Sequence, residues 1–161
     1  MIEPRKSKPK IEDVMYEVLS GDTLKNGIDF ITYLRANKMS PQWSATNSWK
    51  IAYKAHNMCV INLSGSYHNL DEGSWRVRAF IGEYDDSLSD KLKELIWKNV
   101  EYCKKCNTCR GEQIAIFGKD FNNVCGRIHF VNPDVKVIEC IKRLIPMRKN
   151  AIIEGKADKH R

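Results

Sequence analysis

The sequence predicts an α+β domain: a small, largely antiparallel sheet with helices packed on one side. Three observations carry this. Residues 49–81 hold three apolar segments joined by links too short for a crossover helix, and two of them alternate with period two. Segments with a 3.6-residue apolar period stand before and after them. A chain of 161 residues with 42% apolar content is also long enough for one core and too short for two.

Taken in order, "IEDVMYEVL" predicts a first helix over 11–19, closed by Gly21. Asp22 is placed to cap a second over 23–37, where Leu24, Ile28, Ile31 and Leu34 form one stripe. "KMSPQWSATNS", punctuated by Pro41, reads as a loop. "WKIAYKA" sets Trp49, Ile51 and Tyr53 against Lys50 and Lys54. "MCVINL" (58–63) is apolar on both faces, as a central strand is, and a turn at His56–Asn57 joins the two as a hairpin. "SWRVRAFIG" sets Trp75, Val77, Ala79 and Ile81 opposite Arg76, Arg78 and Phe80. Together these form an antiparallel meander at about 49–81.

A strong helix is predicted over 88–104, with Leu88, Leu92, Leu95, Ile96 and Val100 on its buried stripe and Ser87 or Ser89 at its start. An apolar segment "IAIFG", a loop "KDFNNVCG" and a strand "RIHFV" follow. Asn132-Pro133-Asp134 reads as a helix start, with Asn132 as cap and Pro133 in the first turn. The last helix then runs to about 145 and ends before Pro146. The chain thus divides into a basic tail (1–10), a single domain (11–147) and a second basic tail (148–161).

The net charge of +7 is unevenly placed. Residues 1–10 carry +3, residues 142–161 carry +5, and residues 11–141 carry −1. A folded surface that reads nucleic acid concentrates its positive charge on the domain itself, so the tails support only weak nonspecific phosphate contact. "MIEPRKSKPK" has no apolar run, which argues against a secretory signal, and no window approaches about 20 apolar residues. A cytoplasmic protein without a membrane partner is the expectation.

In a reducing compartment six cysteines do not suggest a disulfide framework. Cys59 and Cys140 stand alone among apolar neighbours and read as buried small hydrophobes. The stretch "EYCKKCNTCRG" is different, because it places Cys103, Cys106 and Cys109 three residues apart, with Cys125 as a natural fourth ligand. Metal sites need soft, deprotonated ligands held a few ångströms apart, and two intervening residues achieve that through a tight turn. The spacing also resembles the first ligands of an iron–sulfur site, although Cys125 lacks the following proline, and it is not the pair of separated C-x2-C knuckles usual for zinc either, so the spacing supports a metal without choosing one. Zinc is favoured over iron–sulfur because nothing else in the sequence suggests electron transfer. His129 is a substitute ligand, although its place between Ile128 and Phe130 suits a strand equally. Lys104, Lys105 and Arg110 would offset the negative charge of a thiolate site. The same cations would activate free thiols, which leaves a thiol-based redox protein or sensor as an alternative. Reduced cysteines with structural roles only are the remaining reading.

Other chemistry is sparse. Trp49, Tyr53 and Trp75, with Trp43, read either as core or as the lining of a small-ligand pocket. Lys50, Lys54, Arg76 and Arg78 form either a solvated sheet face or an anion site. There is no H-E-x-x-H, no G-x-S-x-G and no glycine-rich phosphate loop, so no catalytic constellation is identified. The expected function is a small binding or regulatory domain with a cysteine-ligated metal.

Most of residues 28–145 also resemble a group of small uncharacterised bacterial proteins. They share the cysteine-rich knot, an "IFGK-x-F-x-N-V-C" segment (here "IFGKDFNNVC", 116–125) and an "F-x-NPD" helix start (130–134). That resemblance implies one integral unit and brings no activity with it. The order of hairpin, third strand and helix is more loosely similar to small α+β domains of the MmcQ/YjbR-like type, a likeness of architecture only.

Overall fold

The structure is a computed structural model that describes residues 8–66, 69–80, 88–103 and 111–156. Its elements are α1 (Ile11–Val18), α2 (Gly21–Ala36), β1 (Gln42–Ala45), β2 (Ser48–Tyr53), β3 (His56–Leu63), β4 (Trp75–Phe80), α3 (Asp90–Lys98), β5 (Val100–Tyr102), β6 (Glu112–Ile116), β7 (Lys119–Val131) and α4 (Val135–Ile153). The strands pair antiparallel in the order β1-β2-β3-β4-β7-β5, and β6 also pairs with β7. The α+β class and the β2-β3-β4 meander are as the sequence predicts.

Register explains the division of the sheet into two faces. Trp49, Ile61 and Val77 align across β2, β3 and β4, and Val77 aligns with Phe130 on β7. These residues join the apolar stripes of all four helices in one buried cluster. The alternate residues Ser48, Asn62, Arg76 and Val131 align in the same way on the outer face, as do Lys50, Val60, Arg78 and His129. A bulge between the pairs Ile51–Cys59 and Ala52–Asn57 leaves Met58 unpaired and buried.

Several boundaries differ from the sequence-based expectation, each for a local reason. The expected loop at 38–48 contains β1, which pairs with β2 around a Thr46–Asn47 turn with Asn47 in the left-handed region. The β2–β3 turn lies at Lys54–Ala55, not His56–Asn57, and both turn residues have positive φ, as the tightest hairpins require. Gly21 opens α2 with φ +56, so Asp22 sits inside the first turn and is not a cap. Helix α3 stops at Lys98, four residues after Glu94, and Val100 belongs to β5, paired with Ile128. The expected loop "KDFNNVCG" is the first half of the thirteen-residue β7.

At the last helix, Asp134 rather than Asn132 is the cap, accepting from Val137 N–H at 2.9 Å. Asn132 instead holds the start of β4: its Oδ1 accepts from Trp75 N–H at 2.9 Å and its Nδ2 donates to Ser74 Oγ at 3.1 Å. The helix does not end before Pro146. Proline lacks the N–H that would bond the Lys142 carbonyl, and here the Tyr33 hydroxyl donates to that carbonyl at 3.2 Å. The missing intrahelical bond is replaced from α2, and α4 continues to Ile153. The expected C-terminal tail therefore begins inside a packed helix. Arg148 is 5% exposed and donates to Asn57 O at 2.7 Å, and Lys149 donates to Asn37 O at the C-terminus of α2 at 3.1 Å.

Candidate functional site

Among the described residues, polar chemistry gathers at the edge of β7 beside Cys103 and Cys125 and on the outer face of the sheet. The cysteine edge follows from how β7 is shared. Val124 is registered both with Tyr102 of β5 and with Glu112 of β6, so β5 and β6 lie on opposite edges of β7. Between Phe121 and Val124, both buried, the strand carries one extra residue, and Asn123 absorbs it at φ +59.

Asn123 is the point at which both ends of the cysteine segment meet β7. On the β5 edge, Cys103 N–H donates to Asn123 O at 2.7 Å. On the β6 edge, Gly111 (φ +67) packs so closely that an added Cβ would collide with Asn123 Oδ1 and come within 3.2 Å of its Cα. Only glycine satisfies both the backbone angle and the approach. Cys125 lies two residues farther along β7, the diagonal neighbour of Cys103 across the strand pair. Both cysteines are half-buried. Cys103 is thus a strand-edge residue and not the last core position of the preceding helix, and Cys125 lies in β7 and not in a loop.

Cys106 and Cys109 lie outside the described residues. Among the described residues, no group of three or more His, Cys, Asp or Glu side chains is placed to hold a metal. His129 faces the outer side of β7 beside Arg78. Cys59 and Cys140 are buried, as their neighbours imply, and burial pushes their thiols up to about 12 and about 11.

The outer face is built on a chain of hydrogen bonds four strands wide. Ser44 Oγ lies 3.4 Å from Ser48 Oγ, and Asn62 Nδ2 donates to Ser48 Oγ at 2.9 Å. Asn62 Oδ1 in turn accepts from Arg76 Nε at 3.2 Å and Nη2 at 2.9 Å. Arg76 is only 6% exposed. Burial is the main pressure on its charged form, with the like charge of Arg78 second. Arg78, two residues along the same face, is treated differently: its guanidinium reaches over β7 to Glu101, with Nη2 at 2.8 and 3.0 Å from the carboxylate oxygens. The basic character of this face was legible in the alternation of "WRVRAF", while the burial of Arg76 and its amide partner were not.

Trp49, Tyr53 and Trp75 do not together line an open pocket among the described residues. Trp49 and Trp75 are fully buried, Trp49 Nε1 donates to Pro9 O at 3.3 Å, and Trp75 packs on Phe30 with ring centroids 6.3 Å apart. Tyr53 is half-buried at the sheet end, with Lys149 Nζ 4.9 Å from its ring centroid. A small-ligand pocket formed by Trp49, Tyr53 and Trp75 is replaced by core packing. No described helix is long and apolar enough to cross a membrane. Comparison of the chain with protein-family models, with curated proteins and with solved structures finds no match.

Proposed function

We propose that this chain is a small binding or regulatory domain whose Cys103, Cys106, Cys109 and Cys125 ligate a metal, zinc ahead of an iron–sulfur cluster. The observation that carries the reading is the convergence of Cys103, Cys125 and Gly111 on one stretch of β7 around Asn123. The chain from Cys103 to Gly111 joins the two edges of β7, about 10 Å apart by two strand spacings. Covalent geometry limits the step from Gly111 back to Cys109 to about 7 Å and the step from Cys103 to Cys106 to about 11 Å. Cys106 and Cys109 belong to the seven residues that join these two points in the sequence.

A closed set of four thiolates is the chemistry of a structural site, which fixes local fold and leaves no open coordination position. Zinc suits it because it needs no particular cluster geometry, and because Gly126 rather than proline follows Cys125. The metal would clamp β5, β6 and β7 together where the hydrogen-bond ladder shifts register. Lys104, Lys105 and Arg110, neighbours of these cysteines in the sequence, would offset the negative charge of four thiolates.

Titration of the metal-free protein with cobalt(II) tests this. Four-thiolate ligation gives an intense thiolate-to-metal band and tetrahedral visible bands at one equivalent. Cys125→Ser should weaken and shift them, whereas Cys140→Ser should leave them unchanged. Bands that are identical in Cys125→Ser would remove Cys125 from the site. If cobalt does not bind and Cys103 alkylates rapidly near neutral pH, the cysteines belong to a thiol redox protein instead.

A further inference from the structure

We propose that a hollow beside the C-terminal turn of α3 binds a free mononucleotide, its base among three aromatic rings and its phosphate at Lys98 and Lys119. The hollow has a volume of about 210 Å³ and is lined by Glu94, Trp97, Lys98, Tyr102, Lys119 and Phe121. Three elements bring these side chains together. Glu94, Trp97 and Lys98 are spaced three and four residues apart on α3, so they share one helix face. Tyr102 ends β5, while Lys119 and Phe121, two residues apart at the start of β7, share one strand face. Trp97 Nε1 donates to Ile116 O at 2.7 Å, which fixes the indole against the end of β6. Phe121 belongs to the core cluster, whereas Tyr102 is 54% exposed and Glu94, Lys98 and Lys119 are exposed. The hollow therefore has an apolar floor and an open, charged rim.

The class of ligand follows from what Lys119 already does. Its ammonium stands 5.3 Å from the Trp97 ring centroid and 5.4 Å from that of Phe121. The attraction of those rings for a cation is thus met from within the chain, and the charge that remains on offer is positive. Lys98 adds a second ammonium to the same lining, against the one carboxylate of Glu94. An anionic group suits this rim better than a cation does. The rings of Trp97, Tyr102 and Phe121 favour a flat aromatic body next to that group, because stacking on aromatic side chains is how such bodies are held. The volume takes a single ring system, since sites for larger ligands begin at roughly 300 Å³. Ionised Glu94 only accepts hydrogen bonds, which suits a ring bearing an amino group. A heteroaromatic amine joined to a phosphate, as in adenosine monophosphate, combines these requirements. None of the lining residues is one of the proposed cysteine ligands, so the inference stands apart from the metal reading.

Titration calorimetry of the full chain with adenosine monophosphate tests this, with adenosine, triadenylate and tetramethylammonium as separate titrants at constant ionic strength. The proposal expects saturable binding of the monophosphate that is at least about tenfold tighter than that of adenosine. Lys98→Gln with Lys119→Gln should remove that advantage, and Tyr102→Ala should weaken both ligands. Lys25→Gln with Lys136→Gln deletes the same charge from exposed positions on other helices and should leave the affinity unchanged. Urea midpoints of the lysine variants close to that of the unsubstituted protein separate lost binding from lost fold, and their unchanged metal content separates this site from the cysteines. Equal monophosphate affinity in Lys98→Gln with Lys119→Gln would overturn the assignment, as would the absence of saturable binding. Saturation by tetramethylammonium alone would make the hollow a cation cage, and tighter binding of triadenylate than of the monophosphate would replace the free nucleotide with a single strand.

Discussion

The continuation of α4 through Pro146 rests on one hydrogen bond, and replacing Tyr33 with phenylalanine tests it. The substitution leaves the ring in place, so its stacking on Phe30 at 6.4 Å and the Lys142 ammonium 5.4 Å from its centroid are retained. What is lost is the donor to the Lys142 carbonyl, which Pro146 has deprived of its helical partner. Leaving a partly buried carbonyl unmet costs about 1–3 kcal/mol, and the 3.2 Å length of this bond puts the effect at the low end, about 1 kcal/mol. Pro146→Ala restores an N–H to that carbonyl and removes an interior proline, so it should stabilise the protein by about 1–3 kcal/mol. In the Pro146→Ala background Tyr33→Phe should then cost only about 0.3 kcal/mol, giving a coupling of about 0.7 kcal/mol. Urea unfolding followed by tryptophan fluorescence reads all four proteins. Equal cost of Tyr33→Phe in both backgrounds would refute the reasoning, because the hydroxyl would then not be serving the carbonyl that Pro146 vacates.

Three further outcomes follow from the packing. Gly111→Ala should lower stability by about 2–4 kcal/mol, from the positive φ and the collision with Asn123, and Asn123→Gly in the same chain should recover the steric part. Arg148→Ala should destabilise by about 3 kcal/mol in urea unfolding, since it leaves Asn57 O unmet and removes a cation 5.5 Å from the Phe80 ring centroid. Truncation before Arg148 should be worse still, whereas a dispensable tail would leave the midpoint unmoved. The Cys59 thiol, raised by burial to about 12, favours the native state below the unfolded thiol range, and that contribution is lost as pH rises through it. The urea midpoint should therefore fall between about pH 9 and pH 12, and Cys59→Ala, less stable at neutral pH, should show a shallower fall.

What the sequence made legible is the part governed by periodicity. The stripe Leu24–Ile28–Ile31–Leu34 and the alternations of β2 and β4 are set by side-chain burial and could be read directly. Boundaries set by a single backbone bond could not. Pro146 signals a helix end by itself, and nothing local announces that Tyr33, far away in sequence, meets the carbonyl that the proline leaves without a helical partner. In the same way "KDFNNVCG" has the composition of a loop. Its role as a strand depends on β5 and β6 flanking it and on Asn123 tolerating a left-handed backbone. The cysteine spacing pointed to a site, but the strand-edge geometry that joins Cys103 to Cys125 is a property of the ladder. The polar face was half visible: "WRVRAF" shows two arginines on one side, and only the register with Asn62 shows that one of them is buried against an amide.

The most direct measurement is elemental analysis with a visible spectrum on protein purified without oxygen, chelators or a metal-affinity step. The account predicts about one zinc per chain, no visible colour, and loss of that zinc in Cys125→Ser. Iron with sulfide and a brown absorbance would keep the cysteine site and replace its metal. Protein that folds fully with no metal, and keeps its stability when Cys103, Cys106, Cys109 and Cys125 are all serine, would contradict the central claim.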